Sequence, residues 1–251
     1  MKYFVVSDIH DHYDLLIDAL KRNEFDINNI NHKLIVCGDA FYSGPQPGEL
    51  FEFLKKLSKQ DKLIFIYGNH DVELLDNLKS HNFTRPANRK CAELIVKYFT
   101  DKIDLTDGEL VLECKKLGFT KFLTEQPVWY FENEQYVFTH GFIPTNKNEY
   151  KPDWRNSTEK EWRNAAARGD AMKLSMLYGI CEPNKIIVSG HYSAARCYIM
   201  KNANQEDWNN KIYKNVSEVP FEAFKPFYGD SFIAIDQSVK KSGFINCIVL
   251  E

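Results

Sequence analysis

Short apolar runs recur along the chain: "YFVVS" (3–7), "KLIVC" (33–37), "KLIFIY" (62–67), "QYVFT" (135–139) and "KIIVS" (185–189). β-Branched and aromatic residues fill them almost without polar interruption, which predicts strands covered on both faces. Between the first three lie patterns of helical period. "HYDLLIDALKRN" sets Leu15, Leu16, Ala19 and Leu20 on one face, and "GELFEFLKKLSK" does the same with Leu50, Phe53, Leu54 and Leu57. Strand, helix, strand, helix, strand is the order of an α/β sheet.

After residue 76 the pattern changes. Residues 77–134 combine one helical stretch, "CAELIVKYFT", with less periodic polar sequence and Pro127. Residues 144–182 carry Pro144, Pro152 and the helix-prone "STEKEWRNAAARGDAMKLSML". Ser157 followed by Lys160 and Glu161 is an incomplete capping start, which leaves that helix boundary open. Two late runs, "SFIAID" (231–236) and "GFINCIVL" (243–250), predict a hairpin closing a sheet, with Ser242-Gly243 in its turn. The expected organisation is one domain over residues 1–251 with cap-like insertions at 77–134 and 144–182.

Composition narrows the classes. Of 251 residues, 44% are hydrophobic and 27% charged, and the net charge is −3 with histidine neutral. These are globular values with no global attraction to nucleic acid or anionic membranes. No run approaches the roughly 20 apolar residues of a membrane span, and the N-terminal run before Asp8 is too short for the core of a signal peptide. The six cysteines are scattered with no C-x-x-C pair. They read as reduced thiols of a cytoplasmic protein rather than a disulfide framework or zinc knuckle. Nothing sets the oligomeric state.

The polar residues at the run ends carry the chemistry. The first run ends in Asp8-Ile9-His10, the second in Gly38-Asp39, the third in Gly68-Asn69-His70-Asp71, the fourth in His140-Gly141 and the fifth in Gly190-His191. Four of the seven histidines are used this way. Singly, Asp or Asn after a strand is ordinary turn chemistry. Five such endings in succession point instead to one site, because open α/β sheets bind ligands beyond the carboxyl ends of their strands. Mixed nitrogen and oxygen donors without thiolate favour Mn, Fe, Zn, Ni or Co over Ca. A pair of such ions about 3.5–4 Å apart polarises a phosphoryl group and generates hydroxide at neutral pH. His70 stands beside the ligands as a candidate proton donor.

These endings resemble a known family. "SDIHDHYDLL", "CGDAFYSGP", "YGNHD", "THGFIP" and "VSGHYS" look like the five ordered blocks of the calcineurin-like metallophosphoesterases, over residues 7 to 193. They are most similar to the branch of serine/threonine phosphoprotein phosphatases, bacterial and phage protein phosphatases and diadenosine-tetraphosphate hydrolases. The resemblance implies a two-sheet sandwich flanked by helices, with Asp8, His10 and Asp39 at one divalent ion and Asp39, Asn69, His140 and His191 at a second. Mn is the first expectation for both ions. The implied reaction is direct in-line attack of hydroxide on a phosphomonoester, carried by a protein or small molecule. A dinucleoside polyphosphate or phosphodiester is the alternative, and a non-catalytic metal-binding scaffold a third reading.

One block departs. Where the family reads G-D-x-x-D-R-G, this chain has Gly38-Asp39-Ala40-Phe41-Tyr42-Ser43-Gly44. The carboxylate that supports the family's histidine is replaced by Tyr42, and the arginine that clamps phosphate by Ser43. Asp71 or the Tyr42 hydroxyl is the candidate to orient His70. Arg163, with Arg155 and Arg168 as alternatives, is the candidate replacement cation, on a Trp-bearing segment. Trp129, Trp154, Trp162 and Trp208 are candidates for a nucleotide pocket, with packing the simpler use of each.

Overall fold

In the computed structural model, which describes residues 1–170, 172–192, 194–202 and 219–251, the apolar runs build two five-stranded sheets. The first contains β1 (Lys2–Val6), β2 (His32–Cys37), β3 (Leu63–Ile66), β4 (Pro127–Val128) and β10 (Ile248–Leu250), in the order β10-β1-β2-β3-β4. The second contains β5 (Phe131–Glu132), β6 (Tyr136–Thr139), β7 (Ile186–Ser189), β8 (Phe227–Tyr228) and β9 (Phe232–Ala234), in the order β5-β6-β7-β9-β8. The neighbours β1 to β4 pair in parallel, as do β6, β7 and β9. Antiparallel strands close the edges: β10 beside β1, β5 beside β6 and β8 beside β9.

Period two explains why the runs are apolar throughout. Phe4, Val6, Leu34, Val36 and Phe65 face one core, shared with helices, while Val5, Ile35 and Ile66 face Phe138, Val188 and Ile233 of the other sheet. On the second sheet, Val137, Ile187 and Phe232 turn outward onto Trp154 and Trp162. Both faces of both sheets are therefore covered.

Helices α1 (Tyr13–Arg22), α2 (Pro47–Lys59), α3 (Asn69–Ser80), α4 (Pro86–Thr100), α5 (Asp107–Lys116) and α6 (Phe119–Glu125) share the core of the first sheet, so α4–α6 extend that layer. Helix α7 (Glu159–Arg168) packs Trp162 and Ala165 into the core of the second sheet; α8 (Ala194–Asn202) and α9 (Val239–Ser242) follow later. The start of α7 is Thr158 rather than Ser157. The Thr158 hydroxyl accepts the Glu161 N–H, and the Glu161 carboxylate accepts the Thr158 N–H at 2.7 Å. A capping box needs the acid three residues on, a spacing Thr158 has and Ser157 lacks.

The expected 231–236/243–250 hairpin does not form. β9 pairs with β7 in the second sheet, and β10 with β1 in the first. Ile233, Ile235 and Ile248 all enter the core between the sheets, so the chain crosses from one sheet to the other through α9. Among the described residues no helix is long and apolar enough to cross a membrane. All six cysteines are free.

Phe138 is fully buried between the sheets, with ring centroids 5.8 Å from Phe131 and 6.4 Å from Tyr3. Phe138→Ala is expected to lower unfolding free energy by about 3–5 kcal/mol in urea titrations. Tyr228→Ala, at an exposed edge, should change it by less than about 1 kcal/mol.

Candidate metal centre

Because the central strands are parallel, their carboxyl ends open on one edge of each sheet, and hydrogen bonds stitch the two edges together. The Asp8 and His10 N–H groups donate to the carbonyls of Gly38 and Asp39, each at 3.1 Å. The Gly190 N–H donates to the His140 carbonyl at 2.8 Å. Across the sheets, the His191 N–H donates to the Asp8 carboxylate at 2.9 Å, and His140 Nδ1 lies 2.8 Å from the Cys37 carbonyl. Asp8, His10, Asp39 and His191 all take left-handed backbone, with φ from 47° to 63°. Such strain persists only where the surroundings overdetermine it. Gly68 answers to space: a Cβ there would collide with the Asp39 backbone and carboxylate.

The side chains gather into two clusters, Asp8/His10/Asp39 and Asp39/His140/His191, in each of which one donor atom per residue lies within 4.8 Å of the others. Asp39 belongs to both. Asn69 Oδ1 adds a neutral oxygen 3.1 Å from His140 Nε2. The tautomers follow from the outer contacts. His140 directs Nδ1 at the Cys37 carbonyl and His191 directs Nε2 at the Ala167 carbonyl, 3.1 Å away, which leaves the opposite nitrogen of each facing the cluster.

Burial holds His10 down to about 4 and His191 to about 3, so both are neutral donors. Burial would lower His140 too, but Asp39, at 3.4 Å, overrules it and raises the imidazole to about 10. Asp39 in turn is held well below the carboxylate range, against its burial, by His140 and then by His70 and His10. Burial, then Asp236, pushes Asp8 well above that range. Two buried carboxylates thus meet with imidazoles as their only ion-pair partners among the described residues. Divalent cations suit that charge and that donor set, and would displace the proton from His140.

His70 lies outside both clusters, with Nε2 3.9 Å from Asp39 and Nδ1 3.8 Å from Glu73, one helical turn on. Its ring stacks on Tyr42 at a centroid distance of 3.7 Å and an interplanar angle of 13°. Asp71, expected to orient His70, does not reach it. The Asp71 carboxylate instead accepts backbone N–H groups from Asp39 at 2.7 Å, Gly68 at 3.0 Å and Phe41 at 3.1 Å. It pins the second and third strand ends together, as a residue two positions into a helix can when two loops meet there.

A calcineurin-like phosphoesterase family model matches residues 1–217. The chain belongs to this family. Symmetrical bis(5'-nucleosyl)-tetraphosphatase of Klebsiella pneumoniae (strain 342) is 32% identical over 89 residues, covering 36% of this chain and 30% of that protein. The enzyme of the same name from Salmonella paratyphi B is 25% identical over 162 residues, covering 64% and 48% respectively. The matches thus span 30% and 48% of the length of these curated relatives. In fold, it is similar to a cold-active protein-tyrosine phosphatase of a psychrophilic Shewanella, with TM-score 0.53, 18% identity, and coverage of 100% of this chain and 75% of that one.

Two of the three arginines expected as replacements for the missing family cation are held by carboxylates. Arg155 binds Glu132 through two nitrogens at 2.7 and 2.6 Å, reaches Glu182 at 2.8 Å and lies over the Trp154 ring. Arg163 borders a cavity of about 220 Å³ beside Asn69, but grips Asp76 at 2.7 and 3.2 Å and Glu159 at 2.8 Å. A phosphate would have to displace both acids. Arg168 lines a different cavity of about 210 Å³ with Lys147 and Lys173. Trp154 and Trp162 are core residues and Trp129 packs partly buried against them, while Trp208 lies outside the described residues.

The sequence reading missed the sixth strand end. After β9 comes Asp236-Gln237, and Gln237 donates to the Asp8 carbonyl at 3.2 Å. "SFIAID" followed by Gln obeys the same grammar as the other five endings. It also missed Asp11, whose buried carboxylate accepts the Gly44 N–H at 3.1 Å and fixes the loop bearing Tyr42 and Ser43.

Arg155 as a structural cation has a pH signature. Its hydrogen bonds, with those of Lys185, hold Glu132 down to about 2 from an ordinary 4.5. The contribution is full above pH 4.5 and is lost as the pH falls towards 2. Arg155→Met should therefore cost about 1–3 kcal/mol at pH 7, with a smaller difference from wild type at pH 3, in urea unfolding at both pH values. Metal stoichiometry should not change.

Proposed function

We propose that this chain is a metal-dependent phosphoesterase acting on phosphomonoesters of a protein or small molecule, with Asp8, His10 and Asp39 holding one divalent ion and Asp39, Asn69, His140 and His191 a second. Manganese is the ion of first choice. The observation that carries the reading is the sharing of Asp39 by two donor clusters at one sandwich edge. Bound there, the ions would polarise the phosphoryl oxygens and lower the pKa of water.

The chain's own groups supply the rest. His70 turns Nε2 towards Asp39 and Nδ1 towards Glu73. The proton held on Nε2 goes to the leaving oxygen, and a hydrogen left on Nδ1 faces the Glu73 carboxylate, which Arg85 holds at 2.6 Å. Tyr42 fixes the plane of the ring by stacking, in place of the family's carboxylate. His140 and His191 keep their donor nitrogens aimed inward through the Cys37 and Ala167 carbonyls.

The names of the curated relatives favour a second reading, hydrolysis of a dinucleoside polyphosphate. Rates on p-nitrophenyl phosphate, its bis ester and a dinucleoside tetraphosphate separate the two: preference for the monoester supports the first reading, and preference for the tetraphosphate replaces it with the second. Chelation should abolish turnover and Mn²⁺ should restore it. His70→Asn should lower kcat about 10²–10⁴-fold with both ions retained, as metal analysis would show. An unchanged kcat removes His70 from its role.

A further inference from the structure

We propose that Lys240 binds the phosphoryl group of the substrate, its ammonium and the Ser43 hydroxyl forming a donor pair at the mouth of the metal centre. The proposal rests on the phosphoesterase reading and names a residue that acts in it.

Lys240 differs from the other cations near the site in what it holds. Arg155, Arg163 and Arg85 each spend their guanidinium on carboxylates. Among the described residues Lys240 makes no salt bridge. Its Nζ instead donates to the neutral Ser43 Oγ at 2.6 Å and lies 5.6 Å from the centroid of the Tyr42 ring. That ring stacks on His70 and is 5.6 Å from the His10 ring. The charge therefore sits over the ring that packs against the proton donor and a metal ligand, and no anion among the described residues pairs with it.

The placement is built. Helix α9 follows the strand end whose Gln237 holds the Asp8 carbonyl, the Asp236 carboxylate accepts the Ser238 N–H at 2.7 Å, and Val239 is buried. The Lys240 backbone is thereby tied to the metal-ligand edge while its side chain is exposed. Ser43 is held in left-handed backbone, φ 57°, in the loop that Asp11 anchors. An incoming phosphoryl group is an anion rich in acceptors, whereas Asp8 and Asp39 offer only acceptors. Lys240 has three donors on a flexible stem, and Ser43, accepting from Lys240, keeps its own O–H to give.

Phosphate binding tests this without turnover. Full-length Mn²⁺-loaded protein is titrated with inorganic phosphate by calorimetry, and KM and kcat are measured on p-nitrophenyl phosphate. Lys240→Met should weaken phosphate about 10–100-fold and raise KM more than it lowers kcat, and Lys240→Arg should recover most of the loss. Lys241→Met, one residue along the same helix, should leave phosphate affinity within about twofold, and Mn²⁺ stoichiometry should stay at the wild-type value in all three. Phosphate affinity unchanged in Lys240→Met, or lowered equally in Lys241→Met, overturns the proposal. If no ester is hydrolysed but Lys240→Met alone loses phosphate, the anion site stands and the phosphoesterase reading falls.

Discussion

Two carboxylates sealed at one edge of a sandwich set the terms for the rest of this molecule. Asp8 is 3% exposed and Asp39 2%, and neither is offered a lysine or arginine partner among the described residues. Unpaired burial of that kind is prohibitive unless the surroundings answer it with donors and positive charge. The answer is assembled from strand ends. Asp39 takes the His70 N–H at 2.9 Å and faces the imidazoles of His140, His70 and His10, while Asp8 takes the His191 N–H and the Ser7 hydroxyl. Parallel strands in both sheets, left-handed backbone at Asp8, His10, Asp39 and His191, and a glycine with no room for a Cβ are the means of bringing those groups to one place.

The departures of the second block become intelligible in that frame. Tyr42 occupies the position of a family carboxylate and supports His70 through its ring face, while Glu73 stands by the ring's outer nitrogen. Ser43 occupies the position of a family arginine and receives Lys240. Planar stacking constrains an imidazole's plane without adding another negative charge to a site that already concentrates two. A lysine delivers charge as a mobile point rather than a rigid fork, so it suits an anion whose geometry is set mainly by the ions it meets.

Likeness of fold leaves the substrate open. Family membership fixes the scaffold and the order of the blocks, whereas a given fold hosts many specificities by changing the loops around a site. In this chain the candidate arginines are spent on the protein itself or lie elsewhere. Arg155 ties Glu132 to Glu182, Arg163 ties Asp76 to Glu159, and Arg168 lines another cavity.

The five central strands, the α1 and α2 faces and the gathering of polar residues at strand ends were legible in the residue pattern alone. Each depends on local rules, namely period two or 3.6, then a glycine and a donor where the run stops. Which sheet the last two strands join was settled by packing in three dimensions, because both runs are apolar on both faces and either pairing satisfies the pattern. It alone decided the partners of the charges. Arg163 meets Asp76 across 87 positions and Lys240 meets Ser43 across 197, and no periodicity reports contacts at such separation. Asp71 follows the same rule: adjacency to His70 in the chain suggests contact, but the third residue of α3 turns its side chain elsewhere, towards the backbone of the Asp39 loop.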